Sequence, residues 1–233
     1  MSVKHEGGWF MGVIMMLMTI CGLVVAAILL VFAYAKRKKW LKTFVLGGVT
    51  VWLAGYVILL SVGSLFSVER TLALGEPKEY CGFYLDCHMH AAVTSVRTTR
   101  TLGDLTASGE FYIVTVKVSS NAKQATLGLG AVDAHIVDTE NRSYTRNTQA
   151  EAQLPPQPDF DKRISPVESF EKEIVFDLPL NVKDPRLDLR EGGSLDRAIE
   201  SVLIGDEDSI GHSRNYFKLD LSGQVVAKED VLK

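Results

Sequence analysis

FYIVTVKV, residues 111–118, places Tyr112, Val114, Val116 and Val118 on one side of an extended chain and Thr115 and Lys117 on the other. Side chains alternate along a strand, so this period of two predicts a half-buried β-strand. The same character extends in both directions. HMHAAVTSV (88–96) and LGAVDAHIVD (129–138) read as strands, as does ESFEKEIVFDLPL (168–180) with Phe170, Ile174, Phe176 and Leu178 apolar. RLDL (186–189), IESVLIG (199–205) and NYFKLDL (215–221) bring the expected total to about seven. Turn-forming residues fill LGDLTASGE (102–110), DTENRS (138–143), LPPQPDFD (154–161) and REGGSLD (190–196). Short strands, frequent turns and no long amphipathic helix predict an antiparallel β-sandwich of immunoglobulin type, with a small barrel as the alternative. Pro155, Pro156 and Pro158 exclude ladder pairing and mark an exposed loop.

Toward the N-terminus the pattern changes to uniform apolarity. No charged residue occurs from Gly7 to Ala35, a run of 29, or from Thr43 to Val68, a run of 26. Crossing a bilayer takes about 20 apolar residues, and both runs qualify. The first is too long for the core of a signal peptide and lacks a strong basic flank, so it reads as a retained helix. Between the runs lies KRKKWLK (36–42), with five basic residues and no acidic one. Short basic loops stay on the cytoplasmic side, which predicts both chain ends outside. Trp9, Phe10, Tyr34 and Trp40 fall near the expected interfaces, where amphipathic rings are favoured. Neither span carries an ionisable side chain of the kind that lines proton and ion pathways, which argues against a transporter or pump. Gly47, Gly48, Gly55 and Gly63 fall near one helix face, which suits close helix packing and a homo-oligomer through that face.

Two segments also carry a family signature. GEFYIVTVKVSSNAK (109–123) and SFEKEIVFDLPLNVKDPRLDL (169–189) resemble the immunoglobulin-like domain of unknown function found in bacterial lipoproteins and membrane-anchored envelope proteins. The matching features are Asn121 after Val-x-Ser-Ser, then Phe176, Asp177 and Pro179, then Leu187 and Leu189. The resemblance spans residues 85–190 and implies an extracytoplasmic sandwich with no catalytic residues to transfer. The Cys/His stretch at 81–90 and LIGDEDSIGHSRNYFKL (203–219) depart from it.

EYCGFYLDCHMHAAV (79–93) contains Cys81, Cys87, His88 and His90. On an oxidising side, five intervening residues with Gly82 among them allow a Cys81–Cys87 disulfide. The alternative is copper or zinc held by Cys81, Cys87, His88 and His90, since imidazoles at i and i+2 share one strand face and thiolates suit soft ions. The spacing matches no strong zinc motif. A third reading leaves the histidines as a solvated face. Asp206, Glu207 and Asp208 form an acidic run that reads as a turn between the last two strands; its spacing does not fit a calcium loop. Cys21 lies within the first span. No nucleophile elbow, zinc-protease helix or phosphate-binding glycine loop is present.

The expected organisation is an external tail (1–8), a first span (9–35), a cytoplasmic loop (36–42) and a second span (43–68). A neck with Cys81 (69–86), the sandwich (87–222) and a tail (223–233) complete it. Residues 69–233 hold 19 Lys and Arg against 27 Asp and Glu, a formal charge of −8. That charge disfavours nucleic acid as a partner. The chain therefore reads as a non-enzymatic module of the plasma (inner) membrane, with the lipid bilayer and another envelope protein as partners. No cofactor is expected beyond the copper or zinc alternative.

Overall fold

The computed structural model describes residues 8–82, 86–191, 193–219 and 221; side chains at 8–10, 81–82, 86 and 194–196 lie outside that description. The chain forms two compact units, Met1–Glu69 with Ser194–Arg214, and Arg70–Gly193 with Asn215–Lys233.

The first unit contains helices α1 (Gly8–Ala35) and α2 (Lys39–Leu65). Both are long and apolar enough to cross a membrane by length and composition, and only 6% of each apolar window is buried. Leu and Val dominate, and no proline interrupts either run. The basic loop is shorter than the sequence suggests. Arg37 takes a positive φ of 51°, and helix resumes at Lys39. The Trp52 indole donates to Thr19 Oγ1 at 3.0 Å, and Thr19 Oγ1 donates to the Met15 carbonyl at 2.8 Å, tying the helices together in mid-span. This unit also holds the short helix α3 of the chain's late portion, Ser194–Glu200, and the turns that follow it.

The second unit is a sandwich of two open sheets, not a closed barrel. Its strands are β1 (Arg70–Leu72), β2 (Lys78–Gly82), β3 (Asp86–Leu102), β4 (Leu105–Ser120), β5 (Val132–Val137), β6 (Ser143–Thr145), β7 (Ser169–Leu178), β8 (Arg186–Glu191) and β9 (Asn215–Lys218). One sheet runs β1-β9-β8-β5-β6 and the other β2-β3-β4-β7. All described neighbours are antiparallel except β1 and β9, where Arg70 pairs with Asn215 and Leu72 with Phe217. A one-turn helical segment (Thr148–Glu151) precedes β7.

The core follows the alternation in the sequence. Val114, Val116, Ile174 and Phe176 from one sheet meet Ala134, Ile136, Leu187, Leu189 and Phe217 from the other, all essentially inaccessible. Burying a side chain such as Phe176 contributes on the order of 2–3 kcal/mol. In β3 the inward pattern shifts from Val93 to Val96 because the register slips there, leaving Thr94 unpaired between Val93↔Val116 and Ser95↔Thr115. Phe111, Ile113 and Val175 point away from this core but are buried too, in a second cluster with Ala150.

Three sequence expectations change. IESVLIG (199–205) is not a strand: α3 runs to Glu200 and turns follow. Ala198, Ile199, Val202 and Leu203 recur at helical rather than alternating spacing, and Gly205 ends the run with φ 83°. Residues 194–214 therefore leave the sandwich that the sequence extends over 87–222. The sheets begin at Arg70, so most of the expected neck, 69–86, belongs to them as β1 and β2. The strand β6 is three residues long, too short for its alternation to register. The tail 223–233 and the first seven residues lie outside the described residues.

Candidate functional site

The Cys/His stretch builds the β2–β3 hairpin. Tyr80 pairs with Met89 and Gly82 with Asp86, with a register shift between them, so the backbone of Cys81 lies across from residues 87–88. Cys87 is half-buried at the start of β3, whereas the Cys81 side chain lies outside the described residues. The disulfide and the four-residue metal set inferred from the sequence both depend on that side chain. Cys21, exposed on α1, is the free cysteine among the described residues.

His88 and His90 share the face opposite the core, with Met89 buried between them, as the alternation predicts. Their surroundings differ. His88 is exposed, its Nδ1 lies 2.6 Å from Asn121 Oδ1, and the Asn121 N–H donates to the His88 carbonyl at 3.0 Å. The asparagine of the family signature thus ties the end of β4 to the start of β3. His90 is half-buried with Nε2 shielded from solvent and lacking a hydrogen-bond partner among the described residues. Among the described residues, no three or more His, Cys, Asp or Glu side chains are placed to hold a metal ion.

The acidic run is a self-capped turn between α3 and β9. Asp206 Oδ1 accepts from the Asp208 N–H at 2.8 Å, and the Asp206 carbonyl accepts from Ser209 Oγ at 2.8 Å. Burial raises the Asp206 carboxyl to about 6; Asp208 and Glu207 push the same way, while the Asp208 N–H and His212 oppose it. Asp208 lies 3.9 Å from Arg214.

One polar cluster escaped the sequence reading. Asp133 and His135 on β5 lie opposite Arg190 and Asp188 on β8. His135 Nε2 is 2.7 Å from Asp133 Oδ1, and Arg190 Nε donates to Asp188 Oδ2 at 2.9 Å. Asp188 is 1% exposed. The i, i+2 spacing in VDAH and in RLDLR was its sequence signal, but nothing in one strand reveals which residues the other sets opposite. Arg190 offsets Asp188 and His135 faces Asp133, an arrangement suited to holding two strands in register.

The other family-signature residues also serve structure. Asp177 accepts from the Ser108 N–H at 2.8 Å and the Gly109 N–H at 3.1 Å. A Cβ on Gly109 would lie 2.1 Å from the Leu178 carbonyl oxygen, so the strands can approach there only at glycine.

Residues 86–197 match a family described as a domain of unknown function (DUF4352). That match agrees with the resemblance to a domain of unknown function read from the sequence over residues 85–190. No curated protein matches the chain. Among solved structures the chain is similar to MPT63, a secreted protein from Mycobacterium tuberculosis, at 11% identity over 56% of this chain and 93% of that one, with a TM-score of 0.38. It is also similar to an uncharacterised β-sandwich protein from Clostridium difficile 630, at 12% identity over 66% of this chain and 96% of that one, with a TM-score of 0.37.

Proposed function

We propose that the chain is a membrane-anchored, non-catalytic interaction module whose β-sandwich faces the extracytoplasmic side and binds another envelope protein. The observation that carries this reading is the bareness of α1 and α2. Val51 is 74% exposed and Phe44 72%, on helices with long charge-free runs. Such surface is stable in hydrocarbon and not in water. The Trp52–Thr19 hydrogen bond favours a retained α1 over a cleaved leader, because α2 uses it as a packing partner. The basic residues at 36–39 and 42 favour a cytoplasmic loop with both ends outside. Reporter fusions at residue 38 and after residue 69 test this topology: a cytoplasmic reporter active at 38 and an export reporter active after 69 are expected. The reverse pattern contradicts it. Affinity capture from detergent-solubilised membranes that returns no reproducible envelope protein contradicts the interaction role.

In this reading Cys81 and Cys87 form a disulfide across the β2–β3 hairpin. The support is the hairpin: Cys81 lies between Tyr80, which pairs with Met89, and Gly82, which pairs with Asp86, so Cys87 falls on the facing stretch of β3. Mass spectrometry of non-reduced peptides is expected to find Cys81 linked to Cys87. Free thiols together with stoichiometric copper or zinc, lost in a His88→Ala/His90→Ala variant, would establish the metal alternative instead.

Gly47, Gly48 and Gly55 have open space where a Cβ would stand, and they line an apolar groove with Val51, Trp52 and Tyr56. A second copy packing there is the oligomer this reading offers. Gly48→Leu is expected to reduce crosslinked dimer in membranes; unchanged crosslinking would exclude that face.

A further inference from the structure

The segment 201–213, between α3 and β9, is hydrogen-bonded to α2 and to Ser67 just beyond it, and approaches α1 closely, within the first unit. Tyr56 Oη on α2 donates to the Val202 carbonyl at 2.8 Å, and Ser64 Oγ donates to the Ile210 carbonyl at 2.8 Å. The Ser213 N–H donates to Ser67 Oγ at 2.7 Å. On α1, a Cβ at Gly12 would lie 2.2 Å from the Ile204 carbonyl oxygen, and on α2 a Cβ at Gly63 would lie 3.8 Å from the Gly205 nitrogen. Gly12 is thus a cradle for the backbone of Ile204, and Gly63 is occupied by this segment rather than left free with Gly47, Gly48 and Gly55.

These contacts fix the level of the segment along the helices. If Lys42 marks the cytoplasmic edge, about 20 residues of rise bring α2 to the outer edge of the hydrocarbon near residue 62. Tyr56 then lies about 9 Å inside that edge. Counting back from Lys36, Gly12 lies about 6 Å outside it. The segment is held between these two levels, at the headgroup–acyl boundary. Backbone that leaves helix at this depth must have its polar groups satisfied by protein, as Tyr56 and Ser64 do for two carbonyls. Apolar side chains also face outward there. Val202 is 40% exposed and Ile210 66%, beside Leu65 and Phe66 at 81% each.

We propose that Ser201–Ser213 is a third membrane-contacting element, an interfacial hairpin that lays Val202 and Ile210 into the outer leaflet. The inference rests on the anchored reading of α1 and α2. Glu200, Asp206, Glu207 and Asp208 outnumber Arg197 and Arg214 in this stretch, so its lipid surface is zwitterionic rather than anionic. The occupant is lipid because the patch continues the bare surface of α2 at the same level.

The test uses the full chain with Cys21→Ala, reconstituted in phosphatidylcholine vesicles and labelled with an environment-sensitive maleimide fluorophore. Single cysteines replace Val202 or Ile210, with Val25→Cys, 54% exposed on α1 and outside the glycine-lined groove, as a mid-span control, Lys117→Cys as an aqueous control, and the Cys21→Ala parent as the labelling blank. Nitroxide lipids are expected to quench positions 202 and 210 about threefold more than 117, and shallow nitroxides more than deep ones, as for an interfacial element. Position 25 is expected to show the opposite depth preference. Gly12→Leu is expected to reduce quenching at 202 and leave 25 unchanged. Quenching at 25, with 202 and 210 behaving like 117, overturns the inference and leaves the anchor intact. Failure to quench 25 as well overturns the anchored reading and this inference with it. Quenching at 202 that Gly12→Leu does not alter overturns the cradle.

Discussion

Asp138 shows how one carboxylate organises a turn. It is fully buried after β5, where burial would raise its pKa, but hydrogen bonds from Arg142, Glu140 and Tyr144 hold it at about 2. Its Oδ1 accepts from the Glu140 and Arg142 N–H groups at 2.9 Å each, and Oδ2 accepts from Arg142 Nε at 2.7 Å. Asn141 completes the turn at φ 58°. A depressed folded pKa means that the native turn binds the proton more weakly than the unfolded chain does. Its stabilising contribution is therefore present above the ordinary value of 3.8 and lost as pH falls toward 2. Thermal melts between pH 2 and 5 are expected to show an acid-dependent loss that Asp138→Asn flattens. Asp206 has the opposite sign. Its raised value means that the docked state of 201–213 binds the proton more tightly, so docking is firmest below pH 3.8 and weakens as pH rises through about 6. Asp206→Asn is expected to remove this dependence, read as fluorophore quenching at position 202 between pH 4.5 and 7.5. Gly109→Ala forces a Cβ against the Leu178 carbonyl and is expected to cost about 1–3 kcal/mol in urea denaturation.

Among the elements, β7 is the outermost strand of its sheet and its free edge is covered. The Asn147 N–H donates to the Val175 carbonyl at 2.7 Å, and Glu151 Oε1 accepts from the Val175 N–H at 3.1 Å. Gln157 imitates a neighbouring strand: its Oε1 accepts from the Glu173 N–H and its Nε2 donates to the Glu173 carbonyl. Lys172, 5% exposed, reaches Asp159 Oδ1 at 2.8 Å and the Pro158 carbonyl at 3.1 Å. The Pro-rich segment thus shields an edge that would otherwise pair with another chain. Gln157→Ala is expected to cost about 1–2 kcal/mol by leaving the Glu173 amide unpaired. A Glu151→Ala/Gln157→Ala double variant is expected to self-associate with rising concentration, followed by light scattering. The strands β4, β5 and β7 were legible because their inward residues alternate, and β3 was legible from Ala91 and Val93 even though its alternation slips before Val96. Gln157 and Glu151 were not, since a side chain that replaces a strand leaves no periodic trace. β1 and β2 were missed for a similar reason: three and five residues are too few to distinguish from a linker.

At the scale of the molecule, residues 194–214 are an excursion between two neighbouring strands. The β8–β9 register pairs Arg186 with Lys218 and Leu187 with Phe217, and its continuation sets Glu191 opposite Ser213. A tight turn would suffice to join them. Replacing 194–212 by a short Asn-Gly turn is therefore expected to leave the melting temperature of the sandwich within a few degrees. A larger drop would show that the excursion also supports the sheets. The two bilayer-length helices and the sandwich were readable from hydropathy and period. The excursion was not, because Val202, Leu203 and Ile204 look equally apolar whether they face a sheet, a helix or lipid.

The parallel pairing of β1 with β9 also sets the timing of assembly. Arg70 waits for Asn215, 145 residues later, and β9 is also the strand that joins β1 to β8. At synthesis rates of about 5–20 residues per second, that is roughly 7–29 s during which Leu72 has no native strand beside it. The β3–β4 hairpin needs no such delay, since its halves meet across a two-residue turn at Gly103 and Asp104. One sheet can therefore nucleate locally as the chain emerges, whereas the other stays open to proteases and chaperones until residue 218 has been delivered.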